Sequence, residues 1–259
     1  METLRISDKI YSYRDFSPLL SAPIKILIDG QSKQKIKESY KILDEILSSG
    51  ETVYGVNTGF GRLSHIKINK DDQKKLQLNL VRSHSSGVGN NLDIGIVRVA
   101  MVLKLVSYSR GYSGVHPDAV SQLVRFLNHD LIPLVPERGS VGASGDLAPL
   151  AHIASSLIGE GKLLHNKKIT ATKTVLRKMN IRPLSLYQKD GISLVNGTQV
   201  STAIAIKALH NCDIILDTAD AIGALSVETS LSSRKTFHSS IHKLKKHRGQ
   251  IVSARNIWK

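Results

Sequence analysis

At 259 residues, 41% hydrophobic but only 5% aromatic, the chain can bury a substantial aliphatic core and suits one large domain or two smaller ones. A charged fraction of 22% excludes a disordered composition, and the single cysteine, Cys212, excludes an internal disulfide framework and fits a reducing compartment. The formal net charge of +15 invites a nucleic-acid partner, yet eight Lys/Arg and no Asp or Glu fall between Leu231 and Lys259, so about half of the excess sits in one segment. No Trp or Tyr interleaves with those bases before Trp258. They therefore read as a solvated or interface-forming helix face, and nucleic acid is not expected as a partner.

In chain order, Met1 to Ile10 carries Glu2, Arg5, Asp8 and Lys9 with no apolar run, so no secretory signal is expected and the protein is read as soluble and cytoplasmic. Lys25 to Ile28 reads as a short strand. Ile36, Tyr40, Leu43 and Leu47 recur at helical spacing, with Ser32 as a candidate cap and Gly50 as a stop. Thr52 to Val53 suggests another strand. A helix is expected from Asp71 through Leu76 and Leu80, and a further one from Asp93 that turns Val97, Ala100, Met101 and Leu105 inward. The most apolar stretch, Val97 to Val106, is interrupted by Lys104 and is too short to span a bilayer, so no membrane association is expected. Pro117 opens a helix that buries Val120, Val124 and Leu127, and Asp146 opens one that runs to Gly159. Lys168 to Thr170 reads as a strand. Val200 to Ser226 reads as a long helix, apolar on all sides and so expected to be buried among other helices, with Cys212 as a small core residue. Phe237, Ile241 and Leu244 share a helical face. Gln250 to Lys259 reads as helix with no stop signal, so the chain is expected to continue. No internal repeat is present.

Four polar or glycine-rich segments lie between these helices: Tyr54-Gly55-Val56-Asn57-Thr58-Gly59-Phe60-Gly61, Ser83-His84-Ser85-Ser86-Gly87, Gly139 to Asp146, and Asn196-Gly197-Thr198. Glycine at this density signals unusual backbone angles or close backbone approach. Familiar glycine motifs fail on them. The hydrolase pattern G-x-S-x-G is broken by Asp146 in Gly142-Ala143-Ser144-Gly145-Asp146 and by Val115 in Gly111-Tyr112-Ser113-Gly114-Val115. No G-x-G-x-x-G occurs, and Gly161-Lys162 is followed by Leu163, so no P-loop is present. His238 and His242 are spaced i, i+4, but Ser239 stands where H-E-x-x-H needs glutamate, and no metal is expected. His152, two helical turns past Gly145, reads as structural.

The run Gly139 to Ala151, GSVGASGDLAPLA, closely resembles the electrophile-forming segment of the histidine ammonia-lyases, and YGVNTGFG and LVNGTQ resemble that family's other signatures in the same order. The resemblance covers essentially the whole chain, although family members are considerably longer. It implies a mainly α protein: an electrophile-bearing domain over residues 1–192, followed over residues 193–259 by the beginning of a central long-helix bundle, as in the ammonia-lyase/fumarase-like superfamily. It implies a homotetramer with active sites shared between subunits. It implies elimination of ammonia from L-histidine to give trans-urocanate, with no external cofactor. A tyrosine or phenylalanine ammonia-lyase, or an aminomutase with the same electrophile, is the alternative within the family. A non-catalytic fragment acting through its basic tail is the alternative outside it.

The resemblance further implies that Ala143, Ser144 and Gly145 cyclise to a methylidene-imidazolone. The residue types suit this: Gly145 has no side chain to obstruct attack of its amide on the Ala143 carbonyl, and Ser144 offers a hydroxyl that can leave as water. The same residues also suit a helix start, with Ser144 or Asp146 as the cap of a helix from Leu147, and a helix N-terminus would itself stabilise electron density placed there. Tyr54 matches a family tyrosine that abstracts a weakly acidic proton, with Asn57 to Gly61 as a loop closing near the substrate and Gly61 and Asp146 as loop support. Asn196 matches an asparagine near the ring and the substrate carboxylate. His84 matches a histidine that contacts the substrate side chain, where it could bond an imidazole or a phenol oxygen. Thr198-Gln199 leans toward histidine as the substrate.

Overall fold

A computed structural model describes residues 2–259, without the side chains of Lys70 and Asp71; the reading of the chain's first residue, Met1, lies outside the described residues. The chain divides into two compact units between Ile206 and Lys207.

The first unit opens with β1 (Thr3–Ile6), a short helix α1 (Ser17–Ser21) and β2 (Lys25–Ile28), the two strands pairing in parallel. Helix α2 (Gly30–Ser48) follows directly. Its cap is Asp29, whose side chain accepts from the Ser32 amide; the Ser32 hydroxyl is buried instead, so the expected cap was three residues late. Ser32 lies inside the first turn, where its own amide is one of the donors that needs capping. The expected strand at Thr52 to Val53 does not form. The Asn57 side chain accepts from the Val53 amide at 2.7 Å and donates to the Glu51 carbonyl at 2.7 Å, so the groups a strand would pair are taken by a turn.

Helix α3 (Lys70–His84) buries Gln73, Gln77, Leu80 and Val81, so two glutamines share the inward face with the leucine expected there. β3 (Val88–Asn91) leads to α4 (Ile94–Ser109), capped by Asp93 and buried on nearly every side. Two cations are carried inside with it. Arg98 donates to Asp130 at 2.9 Å and to the Leu19 carbonyl at 3.2 Å, and Lys104 is described below. Helix α5 (Pro117–Asn128) starts at its proline, as expected, under a His116 cap. β4 (Ile132–Pro133) and β5 (Pro136–Arg138) come next, then α6 (Leu147–Leu157). β5 pairs antiparallel with β3, while β4 lies beside the hairpin of β6 (Lys162–His165) and β7 (Lys168–Ala171). Asn166 and Lys167, at φ 48° and 60°, make the two-residue turn of that hairpin. The short helices α7 (Thr172–Lys178) and α8 (Asp190–Val195) lead into the long helix α9 (Gln199–Thr229). One continuous aliphatic core runs from Ile6 to Ile206.

The second unit contains the rest of α9, a 3-10 turn at Arg234–Phe237, α10 (Ser239–Lys245) and α11 (Arg248–Trp258). Asn256 donates to Asp220 at 2.8 Å, and the Trp258 ring lies edge-on to His238 and under Arg234. Three expectations fail here. The apolar residues of α9 past Ile206 are exposed: Ile215, Leu216 and Leu225 keep 62–64% of their surface. Cys212 is exposed with them rather than a core residue. Phe237, Ile241 and Leu244 do not share one helix, because the backbone turns extended at His238 between the 3-10 turn and α10. In each case helical periodicity reported which residues are apolar, and that alone does not say whether a partner covers them.

The crossing of α1 and α4 gives a direct test of the core. A Cβ on Gly95 would meet the Leu20 backbone, with its Cα at 2.7 Å and its carbonyl oxygen closer still. Backbone cannot yield as a side chain does, so Gly95→Ala is expected to destabilise the protein by about 1–3 kcal/mol in urea unfolding. An unchanged midpoint would show that the two helices separate freely.

Candidate active site

Helices α3, α6 and α8 pack against one another, and the four polar segments of the sequence issue from their ends. The Tyr54 loop precedes α3, and Ser83-His84 closes it. Gly139 to Asp146 enters α6, and Asn196-Gly197 leaves α8.

The tightest contact is between the second pair. Gly145 has φ +114°, and a Cβ there would lie 2.8 Å from the Gly197 oxygen, 2.9 Å from its nitrogen and 3.2 Å from Asn196 Oδ1. Only glycine fits such an angle at such an approach. The Asp146 amide donates to the Gly197 carbonyl at 2.7 Å. Asp146 occupies the cap position of α6, but its carboxylate makes no capping bond to that helix. It is fully buried and instead accepts from the Ser140 hydroxyl at 3.0 Å, the Ser201 amide at 2.8 Å and the Ser201 hydroxyl at 2.6 Å. The expected capping role therefore gives way to a bridge from the glycine loop to the first turn of α9. Ser144 makes no capping bond either; Ala143 and Ser144 are exposed at the crown of the loop.

Tyr54 is 61% exposed, with its ring edge-on to Phe60, and its hydroxyl accepts from the Gly61 amide at 3.1 Å. Gly61 reaches it at φ +54°. The loop between them is pinned from below by Gln77, whose amide donates to the Gly55 carbonyl at 3.1 Å and accepts from the Ile192 amide at 3.0 Å. One buried side chain thus ties the tyrosine loop to the helix that ends at Asn196. At the end of α3, His84 Nδ1 lies 2.9 Å from the Leu80 carbonyl and 3.1 Å from Ser83 Oγ. A carbonyl only accepts, so the neutral ring carries its proton on Nδ1 and leaves Nε2 as an acceptor. The following Gly87 amide donates to His152 Nε2 at 3.0 Å, and Gly139 packs against Gly87 closely enough that a Cβ would lie 3.1 Å from its Cα. His152 is thus a fixed part of this seam, as expected, and its burial lowers its pKa.

Three residues escaped the sequence reading: Gln77, Ser201 and Lys104. The first two carry no signal beyond polarity on a helix. Lys104 does carry one, as one of only two cations, with Arg98, in the most apolar stretch of the chain. It is 4% exposed on α4, and its ammonium donates to the Asn196 carbonyl at 2.6 Å and to Gln199 Oε1 at 3.3 Å. Burial pushes its pKa down to about 7, against the opposing pull of Asp146 and with a further push down from Lys189.

A model of the aromatic amino acid lyase family matches residues 12–259. The histidine ammonia-lyase of Vibrio vulnificus is 39% identical over 254 residues, which are 98% of this chain and 50% of that protein. The histidine ammonia-lyase of Photorhabdus laumondii is 44% identical over 229 residues, 88% of this chain and 45% of that protein. Among solved structures, the phenylalanine aminomutase of Pantoea agglomerans superposes with a TM-score of 0.92 at 28% identity, over the whole of this chain and 50% of that one. The chain spans about half the length of the relatives it matches.

The lysine supplies a test by pH. Unfolded, its amine holds a proton up to about 10.5; folded, it releases it near 7. The unfolded state therefore binds more protons across that interval, and this group makes stability rise with pH there. Lys104→Met removes the contribution. The stability of the variant relative to wild type should fall as pH rises from 7 to 10 in a series of urea titrations. A relative stability constant over that range would show that the amine titrates like a free lysine.

Proposed function

Because the chain belongs to the aromatic amino acid lyase family, we propose that it forms part of an enzyme that eliminates ammonia from L-histidine to give trans-urocanate. The observation that carries this reading is the strained approach of Gly145 to Gly197 at the start of α6. It suits a self-made electrophile rather than an external cofactor. Cyclisation joins the Gly145 nitrogen to the Ala143 carbonyl carbon and expels that oxygen as water. Loss of the Ser144 hydroxyl as a second water leaves the methylidene. A bent backbone without a Cβ at Gly145 is what such a closure requires. The group, once formed, supplies an electrophile that no ordinary side chain offers.

The chain's other groups take the remaining tasks. Tyr54 accepts the proton from the carbon beside the one bearing nitrogen, with the Gly61 amide donating to its oxygen. Asn196 offers its amide to the substrate carboxylate. His84 presents Nε2 to the substrate side chain, where an imidazole N–H can donate to it. A phenol O–H can donate to the same nitrogen, so tyrosine is the second substrate this geometry accommodates, for a lyase or an aminomutase. Residues 1–192 form the electrophile-bearing domain in this reading, and residues 193–259 begin a helical bundle. The exposed apolar stripe of α9 fits a homotetrameric bundle. No helix among the described residues is long and apolar enough to cross a membrane, and cytoplasmic localisation goes with that proposal.

In the active full-length protein, the peptide spanning Gly139 to Ala151 is expected to be lighter by two waters. Ser144→Ala restores the uncyclised mass and removes nearly all urocanate formation. An unmodified peptide in an active preparation rules out the self-made electrophile. His84→Phe is expected to shift relative kcat/KM from histidine and tyrosine toward phenylalanine by about 10–200-fold, since a polar partner leaves the side-chain pocket. Equal ratios for wild type and variant would remove His84 from substrate selection.

A further inference from the structure

Gly145 is bent against the backbone of one residue, Gly197, and the position of that residue is set from behind. The Asn196 amide donates to the Ile192 carbonyl, holding the segment to the last turn of α8. The Tyr108 hydroxyl donates to the Ser193 carbonyl at 2.8 Å, holding that turn to α4. One turn earlier on α4, Lys104 donates to the Asn196 carbonyl itself. Asn196 is the last residue before Gly197, and its carbonyl belongs to the peptide unit that carries the Gly197 nitrogen. That nitrogen is one of the two atoms lying within 3 Å of the Gly145 Cβ position. The second bond of Lys104, to Gln199 Oε1, grips the segment on the far side of Gly197, and the Gln199 side chain lies directly against Gly197. A single buried ammonium therefore brackets Gly197 on both sides. The arrangement sits on a helix buried in the core, which is where a geometric constraint can be held rigidly.

We propose that Lys104 is a positioning residue for electrophile formation, holding the Asn196–Gly197 peptide as the buttress that keeps Gly145 bent for attack on Ala143. The alternative is that the amine only satisfies local acceptors. A purely local role needs a carbonyl partner; it does not need that partner to be the peptide pressed on Gly145. This inference rests on the proposed self-made electrophile, and its test separates the two.

The full-length protein is made as wild type, Lys104→Met and Lys104→Arg. On the folded fraction of each, the proportion of the Gly139–Ala151 peptide that has lost two waters is followed by mass against time after synthesis. Amide exchange at Asp146, whose N–H bonds to Gly197, reports the buttress, and the amides of α4 report the fold. Lys104→Met is expected to keep α4 protected, to lose protection at Asp146 and to cyclise at least about tenfold more slowly, because small misplacements of reacting groups cost rate steeply. Lys104→Arg, which retains donors, should recover part of both losses together. Should Lys104→Met fail to fold, Lys104→Arg carries the test alone, with Asp146 protection and cyclisation expected to fall in step. Wild-type rates of cyclisation in a variant whose Asp146 amide has become exposed overturn the proposal, as does full Asp146 protection in folded Lys104→Met. An uncyclised wild-type peptide instead overturns the proposed electrophile itself, and this inference with it.

Discussion

The approach of Gly145 to the Gly197 peptide is the constraint around which the rest of the first unit is arranged. Two backbones meet with no room for a methyl group between them, which requires glycine on one side and a peptide held firmly on the other. Close backbone approach of this kind forfeits side-chain packing, so it persists only where neighbours over-determine it. Here the neighbours are polar. The Asp146 amide bonds to Gly197, its carboxylate collects Ser140 and Ser201, and the Lys104 ammonium takes the Asn196 carbonyl. Asp146 and Lys104 are themselves buried, so leaving either charged group without these bonds would be costly.

The same logic extends outward through helices α3, α6 and α8. Their contact faces are apolar where they only need to pack, and polar where a loop has to be placed. Gln77 is a clear case: fully buried, it has one amide to spend and uses both ends, on Gly55 in the tyrosine loop and on Ile192 in α8. His152 likewise holds the Gly87 amide, just before β3. The candidate catalytic groups themselves, Tyr54, Ser144 and Asn196, are exposed. Rigidity lies in the layer beneath them, which is where a preorganised site needs it. Burial lowers the pKa of both Lys104 and Lys189, which disfavours their charged forms. The N-terminus of α6 supplies partial positive character to the loop that enters it.

Much of this was legible from the residues. Pro117 and Asp93 mark their helix starts, because a fixed φ and a capping carboxylate act locally. The glycine-rich run from Gly139 announced unusual backbone before any fold was known. The failures share a cause. Ser32 looked like a cap because it is the right residue type, but Asp29 competes for the same amides three residues earlier. Thr52 to Val53 looked like a strand until Asn57, four residues on, claimed its amide. Asp146 looked like a helix cap, and its carboxylate is spent on Ser201, distant in sequence.

The amino-acid sequence by itself determined the mainly helical character and the places of the longer helices, because periodicity and capping chemistry depend on neighbours within a few residues, and the resemblance of its motifs carried the family and the candidate reactive groups. Only the tertiary structure decided which polar side chains reach across the fold to serve those groups. Lys104, Gln77 and Ser201 acquire meaning from partners 92, 115 and 55 positions away. The burial of Lys104, Gln77 and Asp146 that makes those bonds strong belongs to the assembled core, so no window of sequence contains it.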